Sequence, residues 1–243
     1  FPHTVINCIC TSNGRNTVSY VGGRGTVFRS CNFMDAAQGT IVSAPASNFD
    51  AESEQGSIRD LTFEDCIFSN GFNTSFVCDS QNANGLRFKR CVLDNPANWA
   101  GFIKVIPNVV FEDCRIFGSI IYEDPADLSL AASFVRCRFT DKDGESISGD
   151  NMSFGFGLFT GAGGTSGNSA HFSQCEFDAH HVSPYGGQGS IFNDTTIICA
   201  TGLAIGNWTN CVFRGKTVVT CDSGDLIANA PGGKHVGTYF LNG

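Results

Sequence analysis

Apolar and polar residues alternate along most of this chain with a period of two, and the alternation is organised around one recurring cluster, aromatic-x-x-Cys-x-apolar. It reads Phe28, Cys31, Phe33; Phe63, Cys66, Phe68; Phe88, Cys91, Leu93; Phe111, Cys114, Ile116; Phe134, Cys137, Phe139; Phe172, Cys175, Phe177; and Trp208, Cys211, Phe213. Two weaker copies, Val5, Cys8, Cys10 and Phe192, Thr195, Ile197, complete the series. Large apolar side chains two apart, with polar residues between or before them, predict a strand with one buried face. A helix needs apolar spacings of three and four sustained over about ten residues or more, and almost no window supplies them. A second apolar run follows each cluster, as in Phe76, Val77, Cys78, in Phe102, Ile103 and in Ile120, Ile121, with Gly, Asn, Asp and Ser between as turn residues. The predicted unit is strand, turn, strand, turn.

Successive central positions of the cluster lie 23, 35, 25, 23, 23, 38, 20 and 16 residues apart. One supersecondary unit per copy at such a period is the mark of a solenoid, either a leucine-rich repeat or a parallel β-helix. Nine leucines, no Asn column and Gly-rich outer segments without helical pattern favour the β-helix over its rival. With its inward Phe and Cys positions and its Gly/Asn/Asp turns, the chain resembles the right-handed parallel β-helix superfamily, which includes pectate-lyase-like enzymes and phage tailspikes, over residues 5 to 221. The resemblance implies an all-β, single-stranded right-handed parallel β-helix of about nine coils with inward Phe and Cys ladders. Like residues would stack at the strand spacing of about 4.8 Å, giving a rod on the order of 40 Å long. The motifs that polygalacturonase-like members would show, such as Asn-Thr-Asp, an Asp-Asp pair and Gly-His-Gly, are missing, so no family residue carries over.

Composition narrows the classes. The chain of 243 residues has a net charge of -8, which argues against a nucleic-acid partner, because phosphate binding needs clustered Lys and Arg. No apolar run is long enough for membrane insertion. The chain starts at Phe1 and is read as a single domain, 1–243, from a fragment or mature part of a longer protein. Of twelve cysteines, eight fall in the central column and are expected as buried, reduced thiols; no metal site and no cofactor are expected. An extracellular or virion-surface location is favoured, with the cytoplasm as the alternative suggested by reduced thiols.

A regular rod carries function on its irregularities. Two long steps mark insertions near 45–57 and 141–169, expected to wall a groove. Asp79 and Lys104 each lie 13 residues after their cluster Cys and should be neighbours on adjacent coils, with Tyr122, Glu123 and Asp124 on the next. The predicted catalytic residues are Asp79, Glu123 and Asp124, and the predicted substrate-binding residues are Trp99, Lys104, Tyr122, Asp50 and Glu52. Two coils would separate Asp79 from Glu123 by about 9 to 10 Å, near the separation of about 6.5 to 9.5 Å that inverting glycosidases use. The competing reading is a plain Asp79–Lys104 ion pair. The expected function is binding or cleavage of a polysaccharide, by a glycoside hydrolase or polysaccharide lyase if it is an enzyme. The alternative is a non-catalytic structural or interaction segment, with flanking domains or a homo-oligomer covering the solenoid ends.

Overall fold

A strand that buries alternate side chains can close its core only by lying on another strand of the same pattern, and this chain does so by coiling on itself. The computed structural model describes residues 2–38, 46–53, 56–80, 82–123, 125, 127–140, 156–159, 169–179, 184–186, 189–199, 211–221, 234–235 and 239–242. They form an all-β parallel solenoid with buried aromatics. One sheet runs from Thr4–Ile6 through Val27–Arg29, Ile58–Glu64, Ala83–Lys89, Val109–Glu112 and onward to Lys234–His235. The second runs from Ile9–Thr11 through Asn32–Met34, Ile67–Ser69, Val92–Lys104, Arg115–Glu123 and onward to Tyr239–Asn242. A third strand segment per coil, such as Ser47–Ala51 or Thr74–Cys78, joins this second sheet. Roughly seven turns carry all three segments among the described residues.

The register places Phe over Phe. Phe28, Phe63, Phe88, Phe111, Phe134, Phe172, Phe192 and Phe213 form one unbroken file, each ring stacked on the next at 4.4 to 5.4 Å with interplanar angles of 3° to 17°. A second file, Phe33, Phe68, Leu93, Ile116, Phe139, Phe177 and Ile197, faces it. Phe49 and Phe76 from the third segments fill the angle between the two, edge-on to Phe63 at 4.9 and 5.6 Å. Burying each ring is worth about 1.5 to 3 kcal/mol against exposure, and the stacking adds about 0.5 to 1.5 kcal/mol per pair.

Between the first and second strands the chain turns on one residue. Asn7, Ser30, Asp65, Arg90, Asp113, Arg136, Gln174 and Asp194 all have φ between 50° and 55°, a left-handed conformation that costs a non-Gly residue about 1 to 2 kcal/mol. None is glycine, because the next coil holds them: the N–H of Asp65 donates to the Lys89 carbonyl, Arg90 to Glu112, Asp113 to Val135 and Arg136 to Ser173, all at 2.9 Å. Their side chains then meet in a file. Arg90 forks onto Asp65 at 2.7 Å, and Arg136 grips Asp113 at 2.7 and 2.9 Å while reaching Glu112 at 2.8 Å.

The cysteine after each corner points inward. Cys66, Cys91, Cys114 and Cys175 donate to the carbonyls of Phe28, Phe63, Phe88 and Phe134 one coil back, at 3.3 to 3.5 Å. These thiols are free and buried. The last copy needs correction. Phe213 stacks on Phe192, and Thr196 pairs with Val218, so the position after the corner is Thr217, fully buried, and not Cys211. The Thr217 hydroxyl donates to the Phe192 carbonyl at 3.3 Å, as the thiols do elsewhere. Cys211 precedes its strand, next to Val212, whose N–H bonds to the Ser190 carbonyl. Within the expected insertion at 45–57, Ser47–Ala51 is a regular strand with Phe49 in the core. Most of the expected insertion at 141–169 lies outside the described residues.

Arginine contacts hold the Asp65 and Asp113 carboxyls below the usual carboxylate range. A depressed folded pKa means stabilisation that is complete above the unfolded value of about 3.9 and is lost as pH falls through the folded value. The melting temperature should therefore drop more steeply below about pH 4 in the parent chain than in an Asp65→Asn/Asp113→Asn variant; parallel profiles would contradict the assignment. Burial pushes the Cys78 thiol up to about 12 and drives Cys91 and Cys114 upward as well. Among the described cysteines a thiol reagent at neutral pH should label half-exposed Cys8 and Cys10 in the folded chain and reach the buried ones only on unfolding. Rapid native labelling of Cys91 or Cys114 would refute that burial.

Candidate functional site

The third strand segments carry the predicted site, and parallel register decides what meets there. Cys78 pairs with Ile103 and Lys104 pairs with Glu123, so Asp79, Lys104 and Glu123 occupy one file on three successive coils. Val77 pairs with Asp50, which sets Glu52 at the head of the same file. The equal 13-residue offsets of Asp79 and Lys104 thus predict their adjacency correctly. The ion pair itself forms on the other side: Lys104 Nζ lies 3.2 Å from Glu123 Oε1, with both side chains partly shielded.

Two residues earlier on the same face of these strands runs the file Asp50, Val77, Phe102 and Ile121. Trp99 reaches it through the irregular register between Asp94 and Gly101, since a bulge re-aims the side chains beside it. Its ring stacks on Phe102 at 5.7 Å and 29°, and Lys104 Nζ lies 5.0 Å from the Phe102 centroid. The outcome is an aromatic platform of half-buried Trp99 and Phe102, edged by Lys104 and Glu123 and by exposed Asp79 and Glu52.

Two predicted ligand contacts are structural instead. Tyr122 is 1% exposed and points into the core, where its hydroxyl accepts the buried Ala132 N–H at 2.7 Å. Asp50 is 5% exposed, and its carboxylate accepts from the Asn16 amide, whose own oxygen takes the Ser47 N–H at 3.1 Å. Each is therefore committed to holding a loop against a strand. Asp124 lies outside the described residues.

No family model, curated protein or solved structure matches the chain. The assignment of a site therefore rests on geometry. Among the described residues no group of three or more His, Cys, Asp or Glu side chains is arranged to hold a metal ion.

Sequence reasoning missed a second concave surface, on the outer face of the first strands. A groove of about 420 Å³ is lined by Asp60, Asn84, Arg87, Asn108, Ser133 and His171, among others. It is concave because the strands bend at another file of left-handed residues, Asp60 at φ 53°, Gly85 at 77° and Asn108 at 60°. At Gly85 an added Cβ would stand 3.0 Å from Asp60 Oδ1, so the exposed Asp60 side chain would have to shift, in addition to the backbone strain. The Asn108 amide donates to Asn84 Oδ1 at 3.0 Å and ties the groove wall across two coils. The signal was present as polar residues at outward strand positions, which read as ordinary solvated side chains.

Replacing Tyr122 by Phe should lower stability by about 1 to 3 kcal/mol, because it leaves the buried Ala132 N–H without its acceptor. Urea unfolding measures this directly, and an unchanged midpoint would return Tyr122 to the list of surface residues.

Proposed function

We propose that this solenoid is a right-handed β-helix of the pectate-lyase-like and tailspike-like kind, acting on polysaccharide through the outer face of its third strand segments. The observation that carries the reading is the Trp99–Phe102 platform with Lys104, Glu123, Asp79 and Glu52 along its edge. Sugar rings offer an apolar face and a rim of hydroxyls; an aromatic plane covers the first, and charged side chains hydrogen-bond the second. Strands spaced about 4.8 Å apart set Glu52, Asp79, Lys104 and Glu123 in a row along the rod, which suits a polymer.

Retention is favoured over cleavage. Lys104 lies between Asp79 and Glu123 in register and is bonded to Glu123, so a glycosidic oxygen placed between the two acids would first have to displace an ammonium. Asp79, Glu123 and Asp124 then serve as hydroxyl acceptors, and the chain works as a non-hydrolysing binding module. Such a role belongs outside the cell or on a virion surface, with flanking domains or further copies on the solenoid ends.

A glycan array with neutral and acidic polysaccharides tests the reading, alongside an assay of reducing-end release. Trp99→Ala should weaken retention about tenfold or more, the size of a lost stacking contact plus its buried area, and no new reducing ends should accumulate. A folded parent chain that retains no glycan, or a Trp99→Ala variant that binds as the parent does, would sink it. Reducing ends lost on Asp79→Ala or Glu123→Ala would replace retention by hydrolysis.

A further inference from the structure

Several outward arginines of the described chain have acidic partners. Arg29 pairs with Glu64, Arg90 with Asp65, Arg136 with Glu112 and Asp113, and Arg138 with Glu176 and Asp178. At the mouth of the groove on the first strands the arrangement differs. Arg24 and Arg59 are direct cross-strand neighbours, although like charges placed opposite one another are unfavourable. Arg24 meets Asp60 only loosely, at 3.6 Å with both side chains mostly exposed. Arg59 and Arg87 make no ion pair among the described residues.

Each of these two guanidinium groups has a neutral hydrogen-bonding neighbour in register. Arg59 pairs across the strands with Asn84, and Arg87 with Thr62; both neighbours line the groove, as Arg87 itself does. From Arg87 the outward file continues through Val110 and Ser133 to His171, three strand spacings or about 14 Å away. Arg87 thus lines the groove and Arg59 flanks its lining residues Asp60 and Asn84, and neither guanidinium lies within ion-pair distance of a carboxylate among the described residues.

We propose that this groove binds a saccharide chain substituted with sulfate or phosphate ester groups, with Arg59 and Arg87 each taking one ester. A terminal ester has three free oxygens, so it fills a guanidinium fork and still accepts from the adjacent Asn84 amide or Thr62 hydroxyl. A carboxylate held in the fork keeps only the outer lone pairs of the same two oxygens, in the plane of the fork, and so reaches a flanking donor less readily. The Asn108, Ser129 and Ser133 side chains along the groove suit the sugar hydroxyls, and His171 at the far end adds a second polar terminus. The saccharide part of this assignment rests on the polysaccharide reading above, while the arginine site is physically separate from the Trp99 platform.

The experiment measures binding of the full chain, at fixed salt, to heparin as the sulfated arm and poly(glycerol phosphate) as the phosphorylated arm. Polygalacturonate serves as the carboxylate arm and dextran as the neutral one. One or both ester arms should bind more tightly than polygalacturonate and dextran, and Arg59→Gln and Arg87→Gln should each weaken that binding about tenfold, with circular dichroism unchanged. Lys216→Gln, the same charge change on a distant turn, should leave it intact. Equal binding of all four arms, or equal loss from Lys216→Gln and Arg87→Gln, would overturn the site. If polygalacturonate or dextran binds in a Trp99-dependent way while neither ester arm binds, the groove assignment falls and the polysaccharide reading stands; if no arm binds, both fall.

Discussion

Everything in this molecule depends on parallel strands stacking in one register, so that each coil lays the same side chain on its predecessor. The Phe88 and Phe111 rings, 4.4 Å apart and inclined by 3°, show how closely that constraint is met. A one-residue slip would turn the aromatic file outward and bring polar residues in, so register is fixed by the core and cannot drift from coil to coil. Most variation in length then falls in the connections after the second and third segments, with one added residue at the corner Arg214-Gly215-Lys216. The 35-residue step between Cys31 and Cys66 is absorbed in this way while Phe28 still stacks on Phe63.

The same rule governs the outside. Because outward positions also stack in files, charges and polar groups accumulate in rows about 4.8 Å apart, and the sequence of a row determines its role. Where acid and base alternate, as in Asp65, Arg90, Asp113 and Arg136, the row closes on itself, and its corner residues are held in a left-handed conformation that isolated turns give mainly to glycine. Where the row reads Arg24, Arg59, Asn84, it cannot close.

Much of the core was legible because its signal is local and periodic. The Phe spacing, the inward cysteines and the Asp79–Lys104 alignment all follow from counting along one repeat. The misreadings occur where counting breaks. Phe213 belongs to the first file and not the second, so the inward position lies after its corner, at Thr217 and not at the conspicuous Cys211, one residue later than usual because the turn Arg214-Gly215-Lys216 is longer. Two isoleucines before Tyr122 leave its facing ambiguous, and only the bulge between Asp94 and Gly101 in the preceding coil fixes the parity that turns Tyr122 inward. Asp50 sits on an acidic, polar stretch, yet its partner Asn16 lies 34 residues upstream, a contact no local pattern announces. The groove escaped for a related reason: its polar residues are ordinary in one dimension and become a surface only when several coils bend together at Asp60, Gly85 and Asn108.

The rod geometry also bears on what kind of ligand it can hold. An isolated pocket must gather its contacts from loops, and ordering those loops costs affinity. Here the contacts of both candidate surfaces come from strands whose side chains are already fixed by the aromatic files behind them, so little is left to order on binding. Weak contacts then add up when the ligand repeats along the same axis, and a short ligand would gain only one or two of them. A surface of this type favours long, repetitive chains over small molecules, and the two rows differ in what the repeat must carry. The Trp99 row needs a ring with an apolar face, and the groove beside Arg59 and Arg87, which lie in different files, needs a negative charge near each guanidinium.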